Sequence, residues 1–249
     1  TYLQPALTLG NVPQLAIDLI INTYQLKRVG FIHNENVVPL IGNDTFDSTT
    51  EGGQQQGTMS LSVEVFQSQQ AKITLVQQRS PILEGCIHKF ANSLLQWYKQ
   101  AGFRELLFLA STNANKRTDS QLTGTQLRYV AANAAADLTK SIERAEQLCL
   151  VPRMETEVEV DGDIIQLSDR LTGLGRELMR SSNNTQPNIP MLALVLFCSE
   201  GENTPDAINM ANHLAVYTGL ANKGDKIEFK IPSSWKLLQG PSFDQSLFF

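Results

Sequence analysis

The sequence predicts an α/β fold in which helices cover both faces of a mixed, mainly parallel β-sheet. Two uninterrupted apolar runs, at residues 105–110 and 191–197, are typical of strands that are buried on both faces. Helical patterns lie between such runs, and two other stretches alternate in the manner of β-hairpins. Together these features predict a three-layer α/β/α sandwich with β-hairpin excursions.

The amino-terminal part of the chain contributes weaker strand candidates and one helix. Residues 5–9 and 29–33 are candidates for the same sheet, and residues 13–24 form a predicted helix that is apolar on most sides. The sheet can cover only one side of this helix. Its other side must then be covered either by another part of this chain or by a partner.

Two further helices are predicted from apolar stripes at three- and four-residue spacing. The first stripe consists of Leu83, Ile87, Phe90, Leu94 and Tyr98, and the second of Ala207, Ile208, Ala211, Leu214 and Ala215. The second helix has a marked start, because Thr204 can cap its free amides, Pro205 suits the first helical position, and Asp206 suits the positive end of the dipole.

The remaining patterned stretches predict hairpins and loops within one domain. Residues 61–65 and 73–75 predict a hairpin with one exposed face, and residues 158–164 predict another that turns at Asp161-Gly162. Residues 1–238 are predicted to form a single domain, with polar loop insertions at about 42–57, 111–126 and 181–190, and residues 239–249 a flexible tail. Loops of this length are usually either mobile or used for contact.

Composition and charge argue against several classes of partner. The 249 residues are 42% hydrophobic and carry a formal net charge of −5, without a basic run that nucleic acid or an anionic membrane surface would favour. No stretch is long and apolar enough to span a bilayer. The widely spaced Cys86, Cys149 and Cys198 fit a reducing compartment, so we expect a cytoplasmic protein with access to the nucleus.

Enzyme signatures are largely missing from the sequence. It contains no P-loop, no HExxH motif and no GxSxG elbow, and residues 10–14 have only the first glycine of a dinucleotide fingerprint. Cys86 and His88 lie two residues apart at the start of a predicted helix, so their side chains do not face each other as a nucleophile pair. No cofactor, metal or catalytic residue is therefore expected.

Glu200 and Glu202 are the residues whose position best suggests chemistry. They lie in segment 199–203, at the carboxyl end of the strongest strand candidate, where open α/β sheets tend to place their sites. As an acid–base pair they would make the chain a phosphorylase- or hydrolase-like enzyme. A turn followed by a helix cap explains the same residues, and we prefer this interpretation because the capping pattern is complete.

The chain ends in Leu247, Phe248 and Phe249, after a Gly-Pro-Ser spacer at 240–242. Leaving three large apolar side chains in water forgoes roughly 1.5–3 kcal/mol of burial each. They must either fold back onto the domain or enter a pocket elsewhere. An apolar-aromatic ending with a free carboxylate is suited to capture by a cleft that holds a basic group.

Seven stretches along the chain together resemble one known family, at 9–20 (LGNVPQLAIDLI), 39–43, 49–52, 77–80, 128–129, 199–207 (SEGENTPDA) and 231–238 (IPSSWKLL). Through them nearly the whole chain resembles the PAC2 family of proteasome assembly chaperones. The last two are the most specific, and all of them occur in the family's order at compatible spacing.

The resemblance implies a non-catalytic protein with a fold similar to that of nucleoside phosphorylases. It implies a heterodimer with the related proteasome assembly chaperone 1, which scaffolds the ring of proteasome α-subunits, prevents premature ring association and leaves the mature particle. In the wider family, tails that end in a hydrophobic residue, tyrosine and any residue insert between α-subunits. Leu247, Phe248 and Phe249 occupy those three positions, and Phe248 departs from the pattern by lacking the tyrosine hydroxyl.

Overall fold

The computed structural model describes residues 1–46, 59–132, 138–160, 163–167, 171–185 and 188–237. The strands in chain order are β1 (Tyr2–Pro5), β2 (Lys27–Phe31), β3 (Ile41–Asn43), β4 (Met59–Leu61), β5 (Val63–Ser68), β6 (Ile73–Gln78), β7 (Leu106–Asn113), β8 (Leu127–Ala131), β9 (Glu157–Val160), β10 (Asp163–Gln166) and β11 (Met191–Cys198). The α-helices are α1 (Val12–Tyr24), α2 (Ile87–Gln100), α3 (Thr139–Glu143), α4 (Gly173–Asn184) and α5 (Thr204–Thr218). Short 3-10 turns and one π-helical turn, Arg144–Leu148, connect them.

Seven strands form the central sheet, in the order β2-β5-β6-β1-β7-β11-β8. The four strands β6, β1, β7 and β11 are parallel neighbours, whereas β5 and β8 run in the opposite direction. Strand β2 pairs antiparallel with β5 and so runs with the parallel set. The sheet is therefore mixed and mainly parallel, as predicted.

Helices cover both faces of this sheet. Helices α1 and α5 pack against each other on one face, and α2 and α4 pack against each other on the other. Helix α4 approaches the sheet closely at Gly175, where an added Cβ would lie 2.6 Å from Cε1 of Phe108. The predicted three-layer α/β/α arrangement is confirmed.

The two strongest strand predictions are confirmed, and the weaker ones need correction. All of β11 is buried, and β7 is buried over 106–112. The predicted strand at 5–9 is wrong, because the strand occupies Tyr2–Pro5 and the positive φ angles of Gly10 and Asn11 place a turn after it. Strand β2 exists but lies at the sheet edge, with an alternating rather than a buried pattern.

Helix α1 is covered by its own chain. Nine of its thirteen residues are buried, because the sheet packs on one side of the helix and α5 packs beside it in the same layer. Of the two alternatives, the chain itself rather than a partner covers this helix. The apolar character of α1 therefore gives no reason to expect a second protein.

Two helix starts differ from the prediction. Helix α2 begins at Ile87, because Leu83 belongs to a preceding turn in which Gly85 has a φ of 73°. Helix α5 includes Thr204, so Thr204 does not cap it. The N-cap is Asn203, whose carbonyl accepts the amide of Ala207 at 2.9 Å and whose side chain makes no capping bond.

Both hairpins are present, but the first lies inside the central sheet. Strands β5 and β6 pair antiparallel, and every residue of β6 is buried, so the predicted exposed face is wrong. Strands β9 and β10 form a separate two-stranded ribbon as predicted, although the turn at Asp161-Gly162 lies outside the described residues. A second ribbon, β3–β4, was not predicted.

The polar stretches contain regular structure where they are described. Residues 111–113 continue β7 and are followed by two 3-10 turns, and residues 181–184 complete α4. Residues 47–58, which include most of the first stretch at 42–57, lie outside the described residues. Among the helices that the structure describes, none is both long and apolar enough to cross a membrane.

Candidate protein-interaction surface

The carboxyl ends of β1, β7 and β11 lie side by side at one end of the parallel strands, where open α/β sheets usually hold a ligand. In this protein the turn after β1 occupies that place. The hydroxyl of Ser111 donates to the carbonyl of Leu9 at 2.5 Å and lies 2.7 Å from the hydroxyl of Thr8. The thiol of Cys198 contacts the same carbonyl at 3.7 Å. The backbone carbonyl of Leu9 thus takes up the hydrogen-bond donors at the carboxyl ends of β7 and β11.

Gly10 completes the closure by packing against Asn203. Gly10 has a φ of 65°, and an added Cβ would lie 2.3 Å from Nδ2 of Asn203. Asn203 is only 5% exposed, and its Nδ2 donates to the carbonyl of Gly201 at 2.8 Å. The glycine that resembled the start of a dinucleotide fingerprint therefore serves a close contact between two turns.

Glu200 and Glu202 do not form an organised pair. Both side chains are exposed on the loop between β11 and α5, and neither makes a hydrogen bond or an ion pair with another residue that the structure describes. No described residue holds either carboxylate in place, as an acid–base pair would require. The interpretation of segment 199–203 as a turn before a helix fits the structure better.

His88 contacts a residue other than Cys86. Its Nδ1 lies 2.6 Å from Oε1 of Glu177, which joins α2 to α4. The hydrogen bonds from His88 and Arg180 lower the pKa of Glu177 to about 2. This contact is an exposed link between two helices on one face of the sheet.

The buried cysteines are not activated nucleophiles. Burial raises the pKa of Cys149 to about 11, and burial also raises the pKa of Cys198 above its ordinary value. A raised pKa favours the thiol over the thiolate, and the thiolate is the form that acts as a nucleophile. No group of three or more His, Cys, Asp or Glu side chains that could hold a metal ion occurs among the described residues.

A network of buried charges, which sequence reasoning missed, connects α1 to the edge of the sheet. Arg79 binds Asp18 of α1 through Nη2 at 3.0 Å, and Glu64 of β5 through Nε at 2.7 Å. Arg28 of β2 binds the other oxygen of Glu64 at 2.9 Å. Gln77 donates to Asp18 at 2.7 Å. Two arginines thus compensate two buried carboxylates, which burial alone would disfavour.

The same network positions the β3–β4 ribbon over the sheet. Nη1 of Arg28 donates to the carbonyl of Met59 at 3.0 Å and lies 3.7 Å from Asp44. The guanidinium of Arg79 lies 5.7 Å from the ring centre of Phe46, which follows the ribbon. Asp18, the one charged residue of the mostly apolar helix α1, was the one signal of this network in the sequence.

Next to this network, the edge of the sheet exposes a group of apolar side chains, which we call the edge surface. It consists of Val29, Phe31, Ile41 and Met59, all of which are exposed. Single exposed apolar residues are ordinary, but a group of them on neighbouring elements is typical of a protein–protein contact.

Contacts of Arg28 connect strand β2 to the β3–β4 ribbon within this edge surface. The register of β2 shifts between Arg28 and Gly30, which places Arg28 and Phe31 on the same face with the Arg28 guanidinium 5.3 Å from the ring centre. In the ribbon, Ile41 and Met59 occupy one face, whereas Ser60 on the opposite face is buried. Because Arg28 contacts both Phe31 and the backbone of Met59, it joins the two halves of the edge surface.

Comparison with known proteins identifies the family. The sequence model of the PAC2 family matches residues 2–174 of the chain. Proteasome assembly chaperone 2 of Danio rerio is 33% identical over 255 residues, covering 100% of this chain and 94% of that protein. The chain belongs to the PAC2 family. The Homo sapiens protein of the same name is 31% identical over 259 residues, with the same coverage of both chains.

Solved structures show that this PAC2-family chain shares its fold with microbial proteins. Pyrococcus furiosus PbaA, an archaeal homolog of proteasome-assembly chaperone, aligns with a TM-score of 0.64 and 11% identity, over 89% of this chain and 82% of that one. PbaB of the same organism, an archaeal proteasome activator, aligns with a TM-score of 0.55 and 14% identity, over 88% and 83%. At such identities the likeness shows the α/β fold alone.

The carboxyl-terminal residues predicted to bind a partner cannot be placed in this PAC2-family fold. Leu247, Phe248 and Phe249 lie outside the described residues. The last described segment is the 3-10 turn Ser233–Leu237, in which the hydroxyl of Ser233 donates to the carbonyl of Thr45 at 3.2 Å. This segment therefore lies beside the β3–β4 ribbon.

Proposed function

We propose that this PAC2-family chain is a non-catalytic chaperone of proteasome assembly. It pairs with a related chaperone, proteasome assembly chaperone 1, and the pair promotes formation of the α-subunit ring and blocks premature or off-pathway ring association. Its full-length similarity to proteins named proteasome assembly chaperone 2 is the observation that carries this proposal. We expect the chain to act in the cytoplasm and to have access to the nucleus.

The edge surface is where we place the related partner. Strand β2 pairs with β5 on one side, and no described strand pairs with its other side. A related chain of the same fold carries an equivalent edge strand, so two such edges can meet and bury Phe31 and Ile41. Burial of large apolar side chains contributes about 1.5–3 kcal/mol each, which is enough for a few such residues to dominate an interface.

The tail formed by Leu247, Phe248 and Phe249 is where we place contact with α-subunits. Its apolar side chains enter a groove between neighbouring subunits, and its carboxylate faces a lysine or arginine there. Phe248 lacks the hydroxyl of the family pattern, and one missing hydrogen bond costs about 1 kcal/mol. We therefore assign the stronger tail contact to the partner chaperone and a supporting contact to this chain.

The geometry gives no support to the alternative enzyme function. The turn that contains Gly10 occupies the carboxyl ends of the parallel strands, where a substrate would bind. Gly10 packs there against Asn203. Glu200 and Glu202 are exposed to solvent. A phosphorylase- or hydrolase-like reaction would require these carboxylates to be positioned by neighbouring groups.

Reconstitution of the α-ring tests the proposed function. Purified α-subunits are mixed with the chaperone pair, and ring yield is measured by native gel electrophoresis. We expect the pair to raise ring yield, deletion of residues 247–249 to lower it modestly, and Phe248→Tyr to match or exceed the natural chain. The loss is expected to be larger when the partner's tail is also deleted, because linked sites compensate for each other.

Two outcomes would count against parts of this proposal. If the chaperone pair leaves ring yield unchanged, the assembly function is wrong. If ring yield rises but deletion of residues 247–249 has no effect even without the partner's tail, then the function stands and the tail is not a binding site.

A further inference from the structure

A cavity of about 530 Å³ lies at the opposite edge of the sheet from the edge surface, where β8 is the last strand. Residues 120–128 form one side of it, and residues 146–155 form the other. Its charged lining consists of Arg128, Glu146, Arg153 and Glu155. The two elements are tied together by the amide of Tyr129, which donates to the carbonyl of Pro152 at 3.0 Å, so the cavity has fixed walls.

Arg128 is the unusual residue of this cavity. It is only 4% exposed, yet no carboxylate lies within ion-pair distance of its guanidinium among the described residues. Its hydrogen bonds there come from Nη1 alone, which donates to the carbonyls of Thr125 and Leu127. Nε and Nη2 remain without an acceptor among the same residues. A buried guanidinium normally has an anionic partner, because desolvating an unpaired charge is costly.

The carboxylates of the cavity are already engaged by hydroxyl groups. Glu146 accepts the hydroxyl of Tyr129 at 2.6 Å. Glu155 accepts the hydroxyl of Thr118 at 2.5 Å and also that of Ser120. Burial lowers the pKa of Arg128 from its ordinary value and the charge of Glu155 raises it, so this carboxylate compensates Arg128 only at a distance. Each of the two carboxylates thus already accepts a hydroxyl hydrogen bond, whereas Nε and Nη2 of Arg128 have no acceptor among the described residues.

Leu150 at the rim of the cavity is a second unusual residue. Its φ is 55°, a conformation that leucine rarely adopts, and it lies where the helical segment ends, with the amide of Val151 donating to the carbonyl of Ala145. Glycine or asparagine is usual at such a position. The Leu150 side chain is nevertheless 63% exposed, so neither backbone preference nor burial within this chain accounts for it. A partner that covers the side chain would account for it.

We propose that this cavity binds a carboxylate-bearing apolar segment of a protein partner. The carboxylate binds Nε and Nη2 of Arg128, since a guanidinium presents paired donors that match a carboxylate. The adjoining apolar side chain of the segment packs on Leu150. Arg153 lines the same cavity and adds a second positive charge. The site does not depend on which protein supplies the segment, nor on the proposed role in proteasome assembly.

A matched pair of small probes tests the site on the full-length chain. N-acetyl-leucine carries the carboxylate and the apolar side chain, whereas N-acetyl-leucinamide has the same side chain without the charge. Each is titrated while the NMR signals of the Arg128 side chain and of Gly124 and Leu150 are followed. We expect the acid to bind saturably and the amide to bind at least about tenfold more weakly, as loss of a charge-assisted contact implies.

Variants assign the contact to the two residues. Arg128→Gln is expected to abolish the preference for the acid, whereas Arg104→Gln, which removes an exposed charge outside this cavity, is expected to preserve it. Leu150→Gly is expected to weaken binding while the melting temperature stays equal or rises, because glycine suits the backbone there. This second variant keeps the test valid if Arg128→Gln does not fold.

Three results would overturn the proposal. The acid and the amide could bind equally well, which would remove the role of Arg128. The acid could show no saturable shift up to its solubility limit, which would show that the cavity is not a binding site. Inorganic phosphate could bind more tightly than N-acetyl-leucine, which would make the cavity a site for small anions instead of an apolar peptide segment.

Discussion

At the scale of single residues, Gly10 and Asn203 decide whether the sheet has an open crevice. The positive φ of Gly10 allows its turn to approach the amide of Asn203, and Ser111 bonds the carbonyl of the preceding Leu9. Glycine, asparagine and serine also occur in ligand-binding loops. Here Gly10 packs against Asn203 and Ser111 bonds to Leu9, so these residues close the crevice instead of lining it.

Changing Gly10→Ala tests this closure. We expect a loss in the free energy of unfolding of about 1–2 kcal/mol from the left-handed backbone, with a further 1–3 kcal/mol from the contact with Asn203. In an Asn203→Ala background the same change should cost only the backbone component. Urea unfolding of the four proteins measures both costs. An undiminished cost in the Asn203→Ala background would show that the contact with Asn203 does not close this crevice.

Single buried charges were the least predictable part of the molecule. Glu64 lies in a stretch whose alternation indicated an exposed face, yet it is fully buried because Arg28 and Arg79 bind it. These three residues are brought together only by the order of strands in the sheet. Likewise, Arg128 is conspicuous only because no carboxylate in the part of the chain that the structure describes lies at ion-pair distance from it. Sequence patterns carry no information about such long-range pairs.

At the scale of elements, the strands with an unbroken apolar pattern were the ones that could be predicted from the sequence. Strands β7 and β11 are buried on both faces, so their sequences are continuous apolar runs that are easy to recognise. Helix α4 was missed because Gly175 and Ser182 occupy buried positions beside Leu174 and Leu178, which hides its amphipathic stripe. The ribbon β3–β4 was missed because each of its strands has only three residues.

The edge surface can be tested with two closely matched isoleucines. Ile41 and Ile164 lie on different two-stranded ribbons and are 72% and 68% exposed. We expect Ile41→Glu to weaken binding of the related chaperone at least tenfold, because it places a charge in an apolar contact. Ile164→Glu should leave binding unchanged. Both variants should keep the melting temperature of the natural chain, since both side chains are exposed.

Isothermal titration of each separately purified variant with the related chaperone measures this difference. Equal binding by the two variants would show that the edge surface is not where the partner binds. Equal weakening by both would show that added negative charge, rather than loss of a local apolar contact, controls the association.

At the scale of the whole molecule, the two outermost strands of the central sheet lie beside different surfaces. The edge at β2 carries exposed apolar side chains, and the edge at β8 carries the cavity that holds Arg128. Because these surfaces lie at opposite ends of one seven-stranded sheet, a protein bound at one of them would leave the other free. This arrangement suits a protein that holds other proteins in place, and it fits the assembly role that we propose for this member of the PAC2 family.

The most direct test of that role is native mass spectrometry of the complexes recovered with a tagged chain from its own cells. We predict an equimolar complex with a related chaperone, together with species that add proteasome α-subunits and lack mature β-subunits. Recovery of the chain alone, or only with finished particles that contain a full set of β-subunits, would contradict the proposed function.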